Sequence, residues 1–261
     1  MTRRSRLSKE RALELMDIIG EWIEKKLAEA FVSEVVLAFS GGADSMLVGA
    51  ILERRGIKYQ LIAMPCAEDS ESTVSLKDAR RGAEWLNHPL EVASIWPAFQ
   101  GAKLVLPPAK NWLADANLKS RLRMTFAYYF ANNTNGGALV VGTTNKSEMF
   151  IGYLTKNGDG GVDIEPIVFL RKSDEIYDML AAVNGPEWIM VKAPSADLAE
   201  GQTDEGEIGF SYTVIDDTIE FIETGREDQA DPAALKRIKR MHEVSEHKRH
   251  MPPGLEKPAG F

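Results

Sequence analysis

Cysteine is almost absent from this chain: Cys66 is the single one in 261 residues. One thiol excludes an intrachain disulfide framework and a structural zinc site built of cysteines. It reads as a small residue just after a strand. Long apolar runs are missing as well. The longest, such as Val35-Val36-Leu37-Ala38-Phe39, have strand length and fall far short of a membrane span. There is no basic excess, since the formal net charge is −8. That argues against a broad nucleic-acid surface, yet a local basic pocket for an anionic small molecule remains compatible with it. The pair Arg3-Arg4 lacks the apolar segment that would make it an export signal. The sequence thus predicts a cytoplasmic protein with no membrane and no nucleic-acid partner. It has neither repeats nor a low-complexity linker, so one domain over 1–261 is the economical organisation.

What is present suits a folded α/β chain. Apolar residues make up 44% and charged residues 27% of the sequence, enough for a core and a soluble surface. Leu13, Met16, Ile19, Ile23 and Leu27 recur at helical spacing and predict an amphipathic helix within 1–31. Strand patterns follow at Val35–Phe39, Tyr59–Met64, Leu90–Ala93 and Ala138–Val141. Helical patterns occupy Ser45–Arg55, Glu71–Leu86 and Asp115–Asn132. Such alternation predicts parallel strands with right-handed crossovers, a Rossmann-like doubly wound sheet flanked by helices. Its site would lie at the C-terminal ends of the strands. Beyond residue 142 the pattern loosens. Gly, Asp, Pro and Thr gather in Thr155–Ile167 and Ala193–Gly209, and the tail from about 252 reads as irregular. Loops of that length are usually functional lids or disordered.

The strongest local motif is Ser40-Gly41-Gly42-Ala43-Asp44-Ser45, between an apolar strand and a helix. Two glycines let the backbone approach an anion, and free N–H groups at the helix start point toward it. Ser40 and Ser45 add hydroxyl donors. Asp44 would repel phosphate unless a divalent cation bridged them, so it reads as a magnesium ligand. The Gly-Lys-Ser/Thr ending of a Walker loop is missing. The motif resembles the phosphate loop of the ATP pyrophosphatase (PP-loop) superfamily, whose members adenylate a substrate oxygen and release pyrophosphate.

Four further segments narrow the resemblance to ammonia-dependent NAD synthetases over most of the chain. They are Asn117–Met124; Gly142–Glu148 running into Gly152–Asp163; Pro194–Leu198 with Gln202–Glu205 and Gly209–Tyr212; and Glu246–Arg249. The resemblance implies catalytic roles for Asp44, Glu148 and Lys172, with Asp44 and Glu148 sharing Mg2+. It implies ATP contacts from Ser40, Gly41, Gly42, Asp44, Ser45, Thr143, Lys172 and Ser195. It implies deamido-NAD contacts from Asn117, Arg121, Tyr153, Lys156, Asp163, His247 and Lys248, and an acidic group for ammonia at Asp159. On residue chemistry alone, Arg121 could cap an apolar face, Tyr153 could be core, and Asp159 could be turn chemistry. The sequence departs from the pattern at Ala63 and Asp69, where relatives place Arg and Gln against the nucleotide. Ala116, Asn157 and Ser195 also replace commoner residues.

The implied reaction converts deamido-NAD, ATP and ammonia to NAD, AMP and pyrophosphate through an adenylate. A twofold homodimer is implied; the aromatic helix around Met124–Phe130 offers apolar contact for it, and the same residues could equally be monomer core. With the phosphate loop beginning 40 residues in, no glutaminase domain is expected. The alternatives are another PP-loop adenylating enzyme, such as a tRNA-modifying ligase, and a catalytically silent nucleotide sensor. Net charge and the single cysteine weigh against the first, and retention of Asp44 and Glu148 against the second.

Overall fold

Four parallel strands form the sheet around which the chain is organised, in a computed structural model that describes residues 4–192 and 203–255. The strands are β1 (Glu34–Ala38), β2 (Lys58–Ala63), β3 (Leu90–Val92) and β4 (Leu139–Val141), in the order β3-β2-β1-β4. The order reverses at β1, whose neighbours are β2 on one side and β4 on the other. Ile164 makes an isolated parallel bridge to Val141 and extends the sheet beyond β4. Reversal of strand order opens a crevice at the C-terminal ends of β1 and β4, where such folds bind ligands.

Strand alternation sends side chains to two cores. Val35, Leu37, Leu61 and Val141 face one of them. That core is closed by α1 (Lys9–Glu29), α2 (Ala43–Arg55), α3 (Val74–Leu86) and α7 (Glu175–Ala182). Val36, Ile62 and Val140 face the other, covered by α5 (Trp112–Asn132) with α4 (Trp96–Val105) beside it. Helices on both faces make the predicted doubly wound architecture. The spacing read from the first helix holds: Met16, Ile19, Ile23 and Leu27 are buried, and Ser8 caps the start by accepting the Arg11 N–H.

The second half is more helical than its composition predicts. α6 (Lys146–Ile151), α8 (Glu187–Val191), α9 (Asp204–Ile208), α10 (Tyr212–Glu223) and α11 (Pro232–Val244) all follow β4. Ile151, Ile215, Ile219 and Ile238 build a third core between α6, α10 and α11. Several of these helices are too short to show a full hydrophobic period. Boundaries elsewhere shift by a few residues. The helix expected from Glu71 starts at Val74, because Ser70–Ser72 forms a 3-10 turn and the Thr73 hydroxyl caps the Leu76 N–H. α5 starts earlier than expected, capped by Asn111, and α4 was not expected. Residues 251–255 carry no regular structure, as the sequence suggested for the tail. No helix among the described residues is long and apolar enough to cross a membrane.

Candidate active site

β1 delivers the chain to the crevice, and Ser40 to Gly42 turn it into α2. Gly41 has φ +67, a left-handed conformation that a side chain disfavours, and it lies against the backbone of α3. A Cβ there would sit 2.4 Å from the Asp78 carbonyl carbon. The Ser40 hydroxyl accepts the Gly42 N–H at 3.2 Å and meets Ser45 Oγ at 3.2 Å. Ser45 in turn donates to the Gly42 carbonyl at 3.1 Å. The loop is thus held by its own hydroxyls, at a helix start suited to an anion.

Asp44 faces across the crevice. Its Oδ1 accepts the Asn145 side-chain N–H at 3.0 Å, and its Oδ2 accepts the Lys172 ammonium. Asn145 also begins α6 in a capping box with Glu148, each side chain accepting the other's backbone N–H. That cap brings Glu148 toward Asp44. Burial pushes the Glu148 carboxyl well up, and the charges of Asp44 and Asp204 add to the push, against Lys172. For Lys172, burial works against the charge, but Asp44 and Glu148 outweigh it and hold the ammonium charged. Asp44 and Glu148 thus present carboxyl oxygens around one buried cation. Hard oxygens in that arrangement could hold a divalent cation that bound phosphates complete, which is how magnesium is usually held. Among the described residues no group of three His, Cys, Asp or Glu could form an all-protein metal site.

The seat of Lys172 escaped the sequence reading. Its backbone N–H donates to Ser147 Oγ at 3.2 Å, and the Ser147 hydroxyl donates to buried Asp216 on α10. Asp216 also accepts the Ser173 N–H at 2.8 Å. Arg171, almost fully buried, pairs with Asp174, Asp217 and Glu220. Arg6, ahead of α1, joins this cluster through Asp174 at 3.1 Å and Glu220 at 2.6 Å, while its N–H reaches Asp178 at 2.7 Å. Residues on both sides of Lys172 are therefore fixed from α10. Tyr212, at the start of the same helix, donates to Asp204 at 3.1 Å and to Glu148 at 3.4 Å. Burial and those acidic neighbours raise the Tyr212 phenol, so it stays a proton donor.

A second group surrounds the Gly-rich loop after α6. Tyr153 lies near this group and donates to Glu207 at 2.7 Å. Asn117 accepts the Thr155 hydroxyl at 2.7 Å, and Arg121 Nε donates to the Lys156 carbonyl at 3.3 Å. Lys156 Nζ donates to the His247 carbonyl at 2.5 Å. Lys248 donates to the carbonyls of Gly152 and Leu154, each at 2.7 Å, and burial lowers its ammonium. Asp159 accepts from the Ser120 hydroxyl at 2.6 Å and from the Thr155 N–H at 3.0 Å, so here it organises the loop. Asp163 accepts the Val140 N–H at 2.7 Å and the Tyr128 hydroxyl at 2.9 Å.

The sequence-predicted residues thus fall into two adjoining groups. Asp44, Glu148 and Lys172 converge beside Ser40 and Ser45. Asn117, Arg121, Tyr153, Lys156, Asp159, His247 and Lys248 gather at the Gly-rich loop, and Tyr153 links the groups through Asp204, which Tyr212 shares. Thr143 lies at the exit of β4. Ser195 lies outside the described residues, as does much of the Ala193–Gly209 segment. A cleft beside Ser40 is walled by Phe39, Ala63, Met64 and Leu76, with Arg123 contributing. Arg123 Nε donates to the Met64 carbonyl at 3.1 Å, so an arginine reaches this wall from α5 where residue 63 itself is alanine. Asp69 instead caps the Ser72 N–H at 3.3 Å. Cys66 is half-buried, and burial raises its thiol.

Known proteins share this chain's pattern along nearly its whole length. A family model described as NAD synthase matches residues 15–252. An NH(3)-dependent NAD(+) synthetase of Carboxydothermus hydrogenoformans is 40% identical, over 88% of this chain and 92% of that protein. The one from Thermoplasma acidophilum is 38% identical, over 92% and 96%. Among solved structures, an NMN synthetase from Francisella tularensis superposes with a TM-score of 0.85 at 30% identity, covering 97% of this chain and all of that one. An NH3-dependent NAD synthetase from Campylobacter jejuni, in complex with the nitrate ion, gives 0.79 at 28% identity, covering 94% and 99%. With its phosphate loop, paired carboxylates and buried lysine in one crevice, the chain belongs to the NAD synthase family.

Proposed function

We propose that this protein is an ammonia-dependent NAD synthetase, which amidates the nicotinate carboxylate of deamido-NAD with ATP as co-substrate. The observation that carries the reading is the convergence of Asp44, Glu148 and Lys172 at the end of a serine-glycine phosphate loop. The nicotinate oxygen attacks the α-phosphorus of ATP, and pyrophosphate leaves with the electrons of the broken P–O bond. Ammonia then attacks the adenylated carbonyl carbon and AMP departs. The protein's work is alignment and charge stabilisation. Lys172 places a fixed cation among the reacting anions, and the loop N–H groups face the phosphates. A magnesium ion held by Asp44 and Glu148 would offset phosphate charge.

The Gly-rich group supports a binding place for the dinucleotide, with Arg121, Lys156 and His247 around its rim. Leu104 and Val105 on α4, and Trp112 and Tyr129 near opposite ends of α5, expose apolar side chains. They support a twofold homodimer. Within the Met124–Phe130 stretch, by contrast, Met124 and Ala127 are buried in the monomer core.

Detection of NAD by mass spectrometry, from ATP, deamido-NAD and ammonium, tests the reaction. AMP and pyrophosphate should form in step with NAD, and ADP with phosphate would sink it. The likeness to an NMN synthetase favours one second reading, amidation of nicotinate mononucleotide. The same assay with that substrate decides between them by the ratio of kcat/KM values.

A further inference from the structure

α6 is six residues long, with Glu148 in its first turn and the Gly-rich loop beyond its last. A helix that short leaves most of its backbone groups to outside partners. Its front end is held by the Asn145 cap and by the bond from Ser147 to Asp216. Just ahead of it, Glu165 accepts the Thr144 hydroxyl at 3.0 Å and the Thr144 N–H at 3.2 Å, and its carboxylate rests on Gly142. The far end is held by Arg249, a residue to which neither the resemblance nor the reaction above gives a task.

Arg249 follows a 3-10 turn, Glu246–Lys248, that leads on from α11. Its guanidinium donates to the Phe150 carbonyl at 3.1 Å and lies 3.4 Å from the Met149 carbonyl. The same fork donates to Ser245 Oγ at 2.9 Å and, at 2.5 Å each, to the His242 carbonyl and the Glu246 carboxylate. One planar group thus joins the C-terminal ends of two helices, where a cation is favoured. The junction is tight. Gly152 ends α6 with φ +66, and a Cβ there would lie 2.1 Å from Ser245 Cβ. His242 stacks on Phe150 with ring centroids 4.2 Å apart, and its Nδ1 is 2.8 Å from the Phe150 carbonyl oxygen.

We infer that Arg249 is a positioning residue for the reaction: by clamping the end of α6 to the end of α11 it holds Glu148, two residues before Phe150, opposite Asp44 and Lys172. The task of Glu148 rests on the amidation reading above. The Glu148 carboxylate is itself held by long hydrogen bonds, 3.3 Å from the Asn145 N–H and 3.4 Å from the Tyr212 hydroxyl, so its place depends on the helix beneath it. A direct contact with the dinucleotide is the competing role, since His247 and Lys248 come just before. The guanidinium is already engaged by protein acceptors and its side chain is only 12% exposed, which favours the clamp.

Two measurements on the full chain test this. Arg249→Met keeps an apolar stem and removes the fork. Hydrogen exchange at the amides of Met149 to Tyr153 should quicken at least about 10-fold, the scale of one lost hydrogen bond from a charged group. The amides of β1 and β2 should keep their native rates. In NAD formation, kcat should fall about 10- to 100-fold, as expected of a displaced catalytic group, with KM for deamido-NAD changed far less. In a Glu148→Gln background the same substitution should lower kcat by about 2-fold or less, because the group it positions has already lost its task. Arg249→Lys keeps the cation without the fork, and Ser245→Ala removes one bond that orients it. Each should show a smaller loss of the same kind, and they carry the test if Arg249→Met does not fold. Native exchange rates in α6 of the variants would overturn the inference. So would an equal loss of kcat in both backgrounds, or a raised KM at unchanged kcat, the mark of a substrate contact. Absence of NAD formation by the native protein would instead overturn the amidation reading, and hydrogen exchange would still decide whether Arg249 clamps α6.

Discussion

The two glycines of the phosphate loop are predicted to differ sharply when each is replaced by alanine. Gly41 has φ +67, and a Cβ there would meet the Asp78 carbonyl carbon at 2.4 Å, the Ala79 nitrogen at 2.5 Å and the Asp78 oxygen at 2.7 Å. A left-handed alanine costs about 1–2 kcal/mol. Backbone cannot rotate away as a side chain can, so reaching ordinary contact requires the loop and α3 to part by about 1 Å, an overpacking cost of about 1–3 kcal/mol. Gly41→Ala should therefore lose about 2–5 kcal/mol. At about 2–4 °C per kcal/mol, Tm should fall by roughly 4–20 °C. An ångström of displacement beside the phosphates should cost turnover on the order of 100-fold. Gly42 has φ −82, and a Cβ there meets only the Ser40 hydroxyl at 3.2 Å, which can rotate. Gly42→Ala should cost about 1 kcal/mol or less, the scale of a cap change. Differential scanning calorimetry of both variants, with the NAD assay at saturating ATP, makes the comparison. Equal melting temperatures would refute the docking of this loop on α3.

Asp44→Asn or Glu148→Gln removes charge without volume and should slow turnover at least about 100-fold, and near-normal rates in a folded variant would reject both as essential. Purified protein should use ammonium rather than glutamine, and Cys66→Ser should stay active. Glutamine freed of ammonium, given as sole donor, checks this. Light scattering at micromolar concentration should give a dimeric mass, and a fully active monomer would contradict the twofold assembly. The folded Glu165 carboxyl titrates near 8 against 4.5 for an unperturbed one, so the stability it contributes is complete below the lower value and lost as pH rises through the upper. Urea midpoints of the native protein should decline across that window relative to Glu165→Gln, and parallel curves would show that burial does not perturb this group.

The sheet and its flanking helices were legible because their signals are local. Val35 to Phe39 is an apolar run before a glycine turn, and Met16 to Leu27 keeps a helical period over several turns. Asp44, Glu148 and Lys172 were legible through motif context, and the fold brings them together from three places in the chain. The seat of Lys172 was not. Ser147, Asp216 and Arg171 look like ordinary polar residues, and only the approach of α10 to the end of β4 makes them partners. Glu165 was hidden for a similar reason, since its burial depends on a glycine 23 residues earlier. Among the missed helices, α6, α8 and α9 have only five or six residues, so tertiary packing and not periodicity holds them, while the longer α7, α10 and α11 were not read from their sequence. In the aromatic helix, Met124 and Ala127 serve the core, Tyr129 is exposed, and the other exposed apolar side chains lie mostly nearer its start and on α4.

The ion cluster that steadies Lys172 also sets an order on assembly. Arg6 pairs with Asp178, 172 residues later, and with Glu220, 214 residues later. A chain synthesised at roughly 5–20 residues per second therefore waits about 10–40 s between making Arg6 and making its last partner. The phosphate loop, β1 and β2 can be in place long before that. Lys172 cannot, because α10, which fixes its neighbours, is synthesised after it. Activity should therefore appear as a late event in the birth of each molecule, well after most of its sheet has closed.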